Sequence, residues 1–250
     1  DVDTMFQGKL AALKDDAARI ELCRNELKDV RRKNMFRKMS ALSYLVKTRG
    51  PKAVDDVLPF LGHERWRLRE HARELAVDLV QRGEVDALIA ELKTATGEHA
   101  AGVLHVLGDA GVKAALPAAK AALASSDPIA RQAAVQAVLA IGGNPELKTV
   151  LEHARTSTKR KDLYGCELAL LSRRDDAAYV KRAGNARAAT FPRCGPEARM
   201  ALAYVMSQFG GPECLAALEK GVQTAAGDVE EQEAILRALT DSPDPDASNV

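Results

Sequence analysis

Two segments of this chain repeat one pattern 68 residues apart. Residues 127–143 read DPIARQAAVQAVLAIGG, and residues 195–211 read GPEARMALAYVMSQFGG. They share a proline near the start, the alanine and arginine that follow it, and the paired glycines at the end. A fixed period indicates an array of like structural units. Such arrays carry many functions, so the repeat constrains the fold far more than the activity.

The composition indicates that these units are helical. Hydrophobic residues make up 46% of the chain but aromatic residues only 4%. Small aliphatic side chains, led by Ala and Leu, favour closely packed helices over strands. From about residue 34 the chain divides into helix pairs, with Pro128 and Pro196 at helix starts, where a proline has no hydrogen bond to lose. Asp127, directly before Pro128, is a candidate N-cap.

The two ends of the chain differ from the repeats. Residues 1–33 place apolar side chains at three- and four-residue steps, which predicts one amphipathic helix that caps the array. Residues 34–240 are predicted to form the repeat solenoid. Residues 241–250, DSPDPDASNV, offer little to bury, and we expect a disordered acidic tail.

A basic residue recurs at the same position of most units, and alanine takes its place in one of them. Lys38, Arg69, Ala100 and Arg131 are spaced by 31 residues, and Arg199 follows Arg131 at 68. The segments that carry the register are LPFLGHERWRLREHA, LASSDPIARQAAVQAV and GPEARMALAYV. These segments resemble HEAT-like repeats of the phycobilin-lyase type, and the resemblance extends over roughly residues 34–225.

The resemblance implies an all-α fold, a right-handed α-solenoid (α-α superhelix) of about six HEAT-like helical hairpins. It also implies a ladder of side chains that ties adjacent repeats together, with Asp127, Arg131, Arg69 and Arg199 as its members. The third unit departs from the pattern at Ala100, and the fifth unit has no clear signature. In these two units a ladder residue has either been lost or been exchanged for a functional one.

The charges are balanced overall but unevenly distributed. The net charge is +1, whereas residues 19–82 carry +7, residues 155–199 carry +6 and residues 200–250 carry −7. A groove that follows a nucleic-acid backbone needs basic residues throughout, which this chain lacks. Local basic clusters are either solvated charge or candidate partner-binding residues. The candidates are Arg31, Arg32 and Arg37, then Lys159 and Arg160, and then Lys181 and Arg182 within YVKRAGNAR.

The only tryptophan lies between arginines. Arg65, Trp66 and Arg67 form a candidate partner-binding cluster, because Trp and Arg are enriched in binding hot spots and Arg stacks on aromatic faces. The alternative is structural: Trp66 would close the hydrophobic seam between two repeats, and Arg69 would belong to the ladder.

No sequence motif indicates a reaction centre. The chain has no HExxH, GxSxG, phosphate-binding loop or GxGxxG pattern, so we expect no metal ligands, no cofactor and no catalytic residues. The four cysteines are far apart in apolar contexts, which favours buried free thiols in a reducing compartment. No apolar run is long enough to span a membrane.

The sequence therefore favours a non-enzymatic scaffold or adaptor that binds a protein or peptide on its surface. Two alternatives stay open. One is nucleic-acid binding, including a HEAT-like DNA glycosylase, which would need aromatic residues and an Asp at the centre of the concave face. The other, implied only by the repeat resemblance, is a tetrapyrrole lyase or chaperone-like subunit. The cysteines favour a cytoplasmic location, while a first residue other than Met leaves a processed or exported form open.

Overall fold

The computed structural model describes residues 2–29, 34–225 and 227–242. Throughout this part of the chain the regular elements are helices, joined by short turns. The helices are α1 (Val2–Ala12), α2 (Asp16–Lys28), α3 (Met35–Arg49), α4 (Val54–Val57), α5 (Trp66–Gln81), α6 (Val85–Leu92), α7 (Gly97–Asp109), α8 (Leu116–Ala122), α9 (Pro128–Gly142), α10 (Leu147–Thr156), α11 (Arg160–Leu171), α12 (Ala177–Thr190), α13 (Pro196–Phe209), α14 (Pro212–Thr224) and α15 (Val229–Thr240). Three of the second helices, α4, α8 and α10, begin with a single 3-10 turn.

The chain forms two compact units, residues 1–118 and residues 119–250. In the N-terminal unit α3, α5 and α7 pack side by side in chain order. In the C-terminal unit α9, α11, α13 and α15 do the same, and α10, α12 and α14 form a second row against them. Within each unit, consecutive hairpins pack against each other, as in an array of helical hairpins. The predicted all-α fold of the α-solenoid class is confirmed.

The segment predicted as one capping helix contains two helices. The break falls at Asp15, whose carboxylate accepts hydrogen bonds from the Ala17 and Ala18 N–H groups and thereby caps α2. Asp at this position satisfies the first free N–H groups of a new helix, which stabilises a helix start over a continuous helix. Of the apolar stripe, Phe6, Leu10 and Cys23 still reach one core, which they share with Ala41 and Leu45 of α3.

Two of the sequence predictions fall on residues that the structure does not cover. Arg31 and Arg32 lie outside the described residues, and so do positions 243–250 of the predicted acidic tail.

Helix α9 is buried on nearly all sides. Val138 and Leu139 have exposed fractions of 0% and 1%, so a carboxylate at either position would be desolvated without a partner. We expect Val138→Asp or Leu139→Asp to lower the free energy of unfolding by about 3 kcal/mol or more. Urea unfolding followed by circular dichroism measures the loss. Ala140→Asp, one residue further on the exposed side of α9, is the matched control and should change stability by less than about 1 kcal/mol.

All four cysteines are buried and free, as the sequence predicts. Burial raises the pKa of the Cys23 thiol to about 12, with the nearby Asp56 carboxylate adding to the effect. Burial also raises the pKa of Cys166, Cys194 and Cys214. A thiol acts as a nucleophile only as its thiolate, so these side chains serve as packing residues.

Candidate functional site

The arginine at the repeat position ties adjacent helices together, but through a different partner from the one the resemblance implies. The Arg131 Nε donates to both carboxylate oxygens of Asp162 in α11, each at 3.0 Å, and both side chains are buried. Arg131 Nη1 donates to the carbonyls of Ser125 and Ser126 at 2.7 and 3.0 Å. Asp127 is not the ladder partner: its carboxylate caps α9 by accepting from the Ile129 and Ala130 N–H groups.

The same arrangement recurs two repeats further along the chain, between α13 and α15. Arg199 pairs with the buried carboxylate of Glu231 in α15, its Nη2 donating to Oε2 at 2.8 Å, and its Nη1 donates to the Cys194 carbonyl at 3.0 Å. Among the described residues, Arg69 and Lys38 show the carbonyl contact without a carboxylate partner, donating to the carbonyls of His63 and Leu27 at 2.9 and 2.7 Å. For Arg69, Arg131 and Arg199 the constant feature is a guanidinium bonded to a carbonyl just before its own helix, whereas the carbonyl that Lys38 reaches lies in the last turn of α2.

The carboxylate partners were missed in the sequence although a signal for them exists. Asp162 lies 31 residues after Arg131 and Glu231 lies 32 residues after Arg199, so each acid occupies the position of the next expected arginine. Asp162 thus carries the register into the fifth unit, which showed no signature. Acidic residues placed one repeat after a register arginine therefore indicate both ion pairs, Arg131–Asp162 and Arg199–Glu231.

The joint between α11 and α13 carries no ladder ion pair among the described residues, because Asp162 is used by Arg131 on the other side of α11. At this joint the N-terminal ends of α11 and α13 open into a groove of about 760 Å³, which reaches α15 at Glu230. We call it the α11–α13 groove. It is lined by Thr158, Arg160, Lys161, Leu163, Tyr164, Glu167, Glu197, Met200, Ala201 and Glu230.

The Arg–Trp cluster lies on the surface of the N-terminal unit. Trp66 begins α5 and is 61% exposed, which rules out the interpretation that it closes a seam between repeats. The Arg67 guanidinium carbon lies 5.4 Å from the centre of the Trp66 ring, a cation–π contact. The Arg65 N–H donates to His63 Nδ1 at 3.1 Å, and Arg69 donates to the His63 carbonyl. These bonds fix the start of α5 and so the position of Trp66.

The other basic candidates lie on separate elements. Arg37 is half-buried at the start of α3, where its N–H donates to the Asn34 cap. Lys159 and Arg160 are exposed at the start of α11, whereas Lys181 and Arg182 are exposed on α12, in the second row of helices.

Arg187, the last basic residue of YVKRAGNAR, is not part of any basic surface, because its side chain is fully buried. Its guanidinium carbon lies 3.9 Å from the centre of the Phe209 ring, and none of its nitrogens has a hydrogen-bond partner among the described residues. Burial lowers its pKa, while Cys214 and Tyr179 act in the opposite direction. A buried charge without hydrogen bonds is costly.

Replacing Arg187 by a neutral side chain of similar length should therefore stabilise the C-terminal unit. We expect Arg187→Met to raise the free energy of unfolding by about 1–3 kcal/mol, because it removes the desolvation cost and keeps most of the packing volume. Urea unfolding of the full chain measures the change. Arg187→Ala, which also removes the charge but leaves a cavity, serves as the comparison. Its free energy of unfolding should be lower than that of Arg187→Met. A lower stability for Arg187→Met than for the parent protein would contradict the prediction.

One serine–histidine–glutamate arrangement is present in the N-terminal unit. Ser43 Oγ lies 2.8 Å from His71 Nε2, and His71 Nδ1 lies 3.8 Å from a Glu74 oxygen. His71 Nε2 also lies 3.2 Å from the Met39 carbonyl, which can only accept, so this nitrogen carries the hydrogen and cannot take a proton from Ser43. Ser43 is within α3, whose backbone N–H groups are used in the helix, so the helix itself offers it no oxyanion donor. The contact ties α3 to α5.

His105 in α7 is a neutral histidine in the fold. Burial lowers its pKa to about 4, and the nearby Arg73 and Arg69 lower it further, against Asp109 and Glu70, which raise it. An unfolded histidine has a pKa near 6.5, so between about pH 6.5 and pH 4 the unfolded chain binds the proton and the folded chain does not. Stability contributed by this group is therefore lost as the pH falls through this window.

His105→Gln is expected to reduce the pH dependence of the free energy of unfolding. Between pH 7 and pH 5 the parent protein should lose about 2 kcal/mol more unfolding free energy than His105→Gln. Urea unfolding at the two pH values provides both numbers. Equal losses in the two proteins would show that His105 is not buried as a neutral side chain.

The described residues provide neither a metal-binding cluster nor a membrane-spanning helix. No group of three or more His, Cys, Asp and Glu side chains is placed to hold a metal ion there. No helix in that part of the chain is both long enough and apolar enough to cross a membrane. The aromatic side chains of the second helices, which a nucleobase-binding site would need, are buried at Tyr179 and Phe191 and half-buried at Phe60.

The stacked hairpins give a helical fold of the α-solenoid class. Residues 85–183 match the family model for HEAT repeats. No curated protein matches the chain. The crystal structure of an engineered protein gives a TM-score of 0.42 at 17% identity, covering 96% of this chain and 67% of that one. Human deoxyhypusine hydroxylase in complex with glycerol gives 0.39 at 16% identity, covering 90% and 96%.

The family match supports the HEAT-like resemblance drawn from the sequence. The narrower phycobilin-lyase type stays a prediction. The two solved structures carry no information about what this chain binds or does.

Proposed function

We propose that this protein is a non-enzymatic scaffold that binds a protein partner, with Trp66 as the anchoring side chain. The observation that carries the proposal is the 61% exposure of Trp66 at the fixed start of α5. Tryptophan offers a large apolar area at a low cost in side-chain entropy, and hot spots of protein interfaces are enriched in it.

The surroundings of Trp66 indicate the chemistry of the partner. Arg67 stacks near the ring, and both Arg65 and Arg67 are exposed. A partner surface with an apolar pocket rimmed by carboxylates would cover the ring and pair with the arginines. Charge-assisted bonds made next to a desolvated aromatic side chain are stronger than the same pairs in water.

The test is a quantitative pull-down with the immobilised full chain from nuclease-treated extract. We expect at least one protein to be retained by the parent chain and reduced at least about tenfold by Trp66→Ala. The matched control is Tyr204→Ala, which removes an aromatic side chain of similar exposure, 50%, from α13. Retention should persist at moderate salt, because an apolar anchor is less sensitive to screening than phosphate contacts are. Equal recovery by the parent chain and Trp66→Ala would overturn the assignment of Trp66.

The same material separates the two alternative functions. A nucleic-acid partner would disappear with nuclease treatment and would bind more weakly as salt rises, with a slope set by the number of phosphates contacted. A tetrapyrrole-binding function predicts a shift in the absorption spectrum of a bilin on mixing with the protein. Neither result is expected for a protein-binding scaffold.

A further inference from the structure

The α11–α13 groove lies where the repeat ladder is interrupted. Arg131 ties α9 to α11, and Arg199 ties α13 to α15, but no corresponding pair crosses from α11 to α13 within the described residues. The groove opens at this joint. Its apolar part includes Leu163, Met200 and Tyr164, and the Tyr164 side chain is 51% exposed.

The two sides of the groove carry opposite charge. Arg160 and Lys161 are exposed at the start of α11, and Glu197 and Glu230 are exposed at the starts of α13 and α15. None of these four residues forms an ion pair with another described residue. Burial raises the pKa of Glu167, which lies deeper in the groove, although Arg160 opposes the shift. The apolar part is thus bounded by unpaired bases at one end and unpaired acids at the other.

We propose that the α11–α13 groove binds an extended peptide segment of a partner protein, with an acidic residue at one end, apolar residues in the middle and a basic residue at the other end. The charges define the orientation: the peptide acid faces Arg160 and Lys161, and the peptide base faces Glu197 and Glu230. The apolar residues cover Tyr164 and Met200. This inference rests on the proposal that the chain is a protein-binding scaffold, and it assigns that scaffold a second surface.

The spacing of the helices sets the length of the peptide. Adjacent packed helices lie about 8–10 Å apart, so the path from α11 across α13 to α15 is roughly 16–20 Å. An extended chain advances about 3.3 Å per residue, so this path corresponds to roughly five or six residues. A helical peptide would need about twice as many residues over the same path.

Fluorescence anisotropy with short labelled peptides tests the proposal on the full chain. The probe is the peptide Glu-Glu-Leu-Leu-Leu-Lys-Lys, and the comparison peptides carry Glu-Glu or Lys-Lys at both ends. We expect the mixed-charge peptide to bind at least about tenfold more tightly than either same-charge peptide, since each of those places like charges together at one end. Equal binding of the acidic peptide and the mixed peptide would overturn the proposal and indicate a simple anion-binding surface at α11.

Single substitutions locate the binding site. Tyr164→Ala should weaken binding of the mixed peptide at least about tenfold, whereas Tyr204→Ala, an equally exposed tyrosine outside the groove, should change it less than about twofold. Arg160→Glu should reverse the preference toward the basic peptide. Trp66→Ala should leave peptide binding unchanged, so a failure of the Trp66 assignment and a failure of the groove assignment give different results. No binding of the mixed peptide, or equal losses with both tyrosine variants, would refute the groove.

Discussion

Asp162→Ala is expected to lower the free energy of unfolding of the C-terminal unit by about 3–5 kcal/mol. The substitution leaves the Arg131 guanidinium buried, with only the carbonyls of Ser125 and Ser126 as partners. Removing one member of a buried ion pair costs more than the pair contributes, because the remaining charge stays desolvated. Hydrogen exchange in α9 and α11 provides a local readout, since a repeat array need not unfold in a single step.

Two further variants show whether the cost comes from the buried charge. Glu152→Ala removes an exposed carboxylate that pairs with Arg155 within α10, and it should cost less than about 1 kcal/mol. The double variant Arg131→Met with Asp162→Leu should recover most of the loss, because it removes both buried charges and keeps apolar volume. If Asp162→Ala costs no more than Glu152→Ala, the pair does not tie α9 to α11 as described.

Gly102→Ala is expected to be the most damaging single-methyl change in the N-terminal unit. A Cβ at this position would lie 2.2 Å from the Leu61 carbonyl oxygen and 2.8 Å from the Leu61 carbonyl carbon. Both atoms belong to the backbone, so α7 would have to move away from the preceding hairpin. Overpacking of this kind typically costs about 1–3 kcal/mol or more, and we expect a loss of about 3 kcal/mol, measured by urea unfolding.

The matched control makes the same chemical change without the clash. Gly8 lies exposed within α1, and a Cβ there would meet nothing within 4 Å. Gly8→Ala should stabilise the protein by up to about 1 kcal/mol, because Ala is the better helix former. A loss of unfolding free energy in Gly102→Ala together with a gain in Gly8→Ala would establish the close approach at Gly102. A gain in both variants would contradict it.

Local features of this chain could be predicted from the sequence with residue precision. Asp127 caps α9 as expected, because an N-cap depends only on the two or three residues that follow it. The helical hairpins also follow from the local periodicity and from the prolines at helix starts. The single helix predicted over residues 1–33 failed because the apolar stripe continues through the break, and Asp15 could be either a surface residue or a cap.

The candidate site was predicted only in part. Arg65, Trp66 and Arg67 were identified as a cluster, but the sequence left the orientation of Trp66 open, and burial depends on which surface of α5 meets α3 and α7. Basic residues alone did not identify the ladder, since its carboxylates come from the following repeat. The α11–α13 groove was not predicted, because its lining comes from three helices that meet only when the hairpins pack.

The sequence by itself determined the helical class, the repeat unit and the basic residue in its register, since each of these depends on spacing along the chain. Only the tertiary structure decided which acid meets Arg131 and Arg199, that Trp66 faces outward, and that Arg187 is buried. The physical reason is the range of the interactions. Helix formation and capping act within a few residues, whereas burial and ion pairing join residues about 30 positions apart whose distance is set only when the hairpins pack.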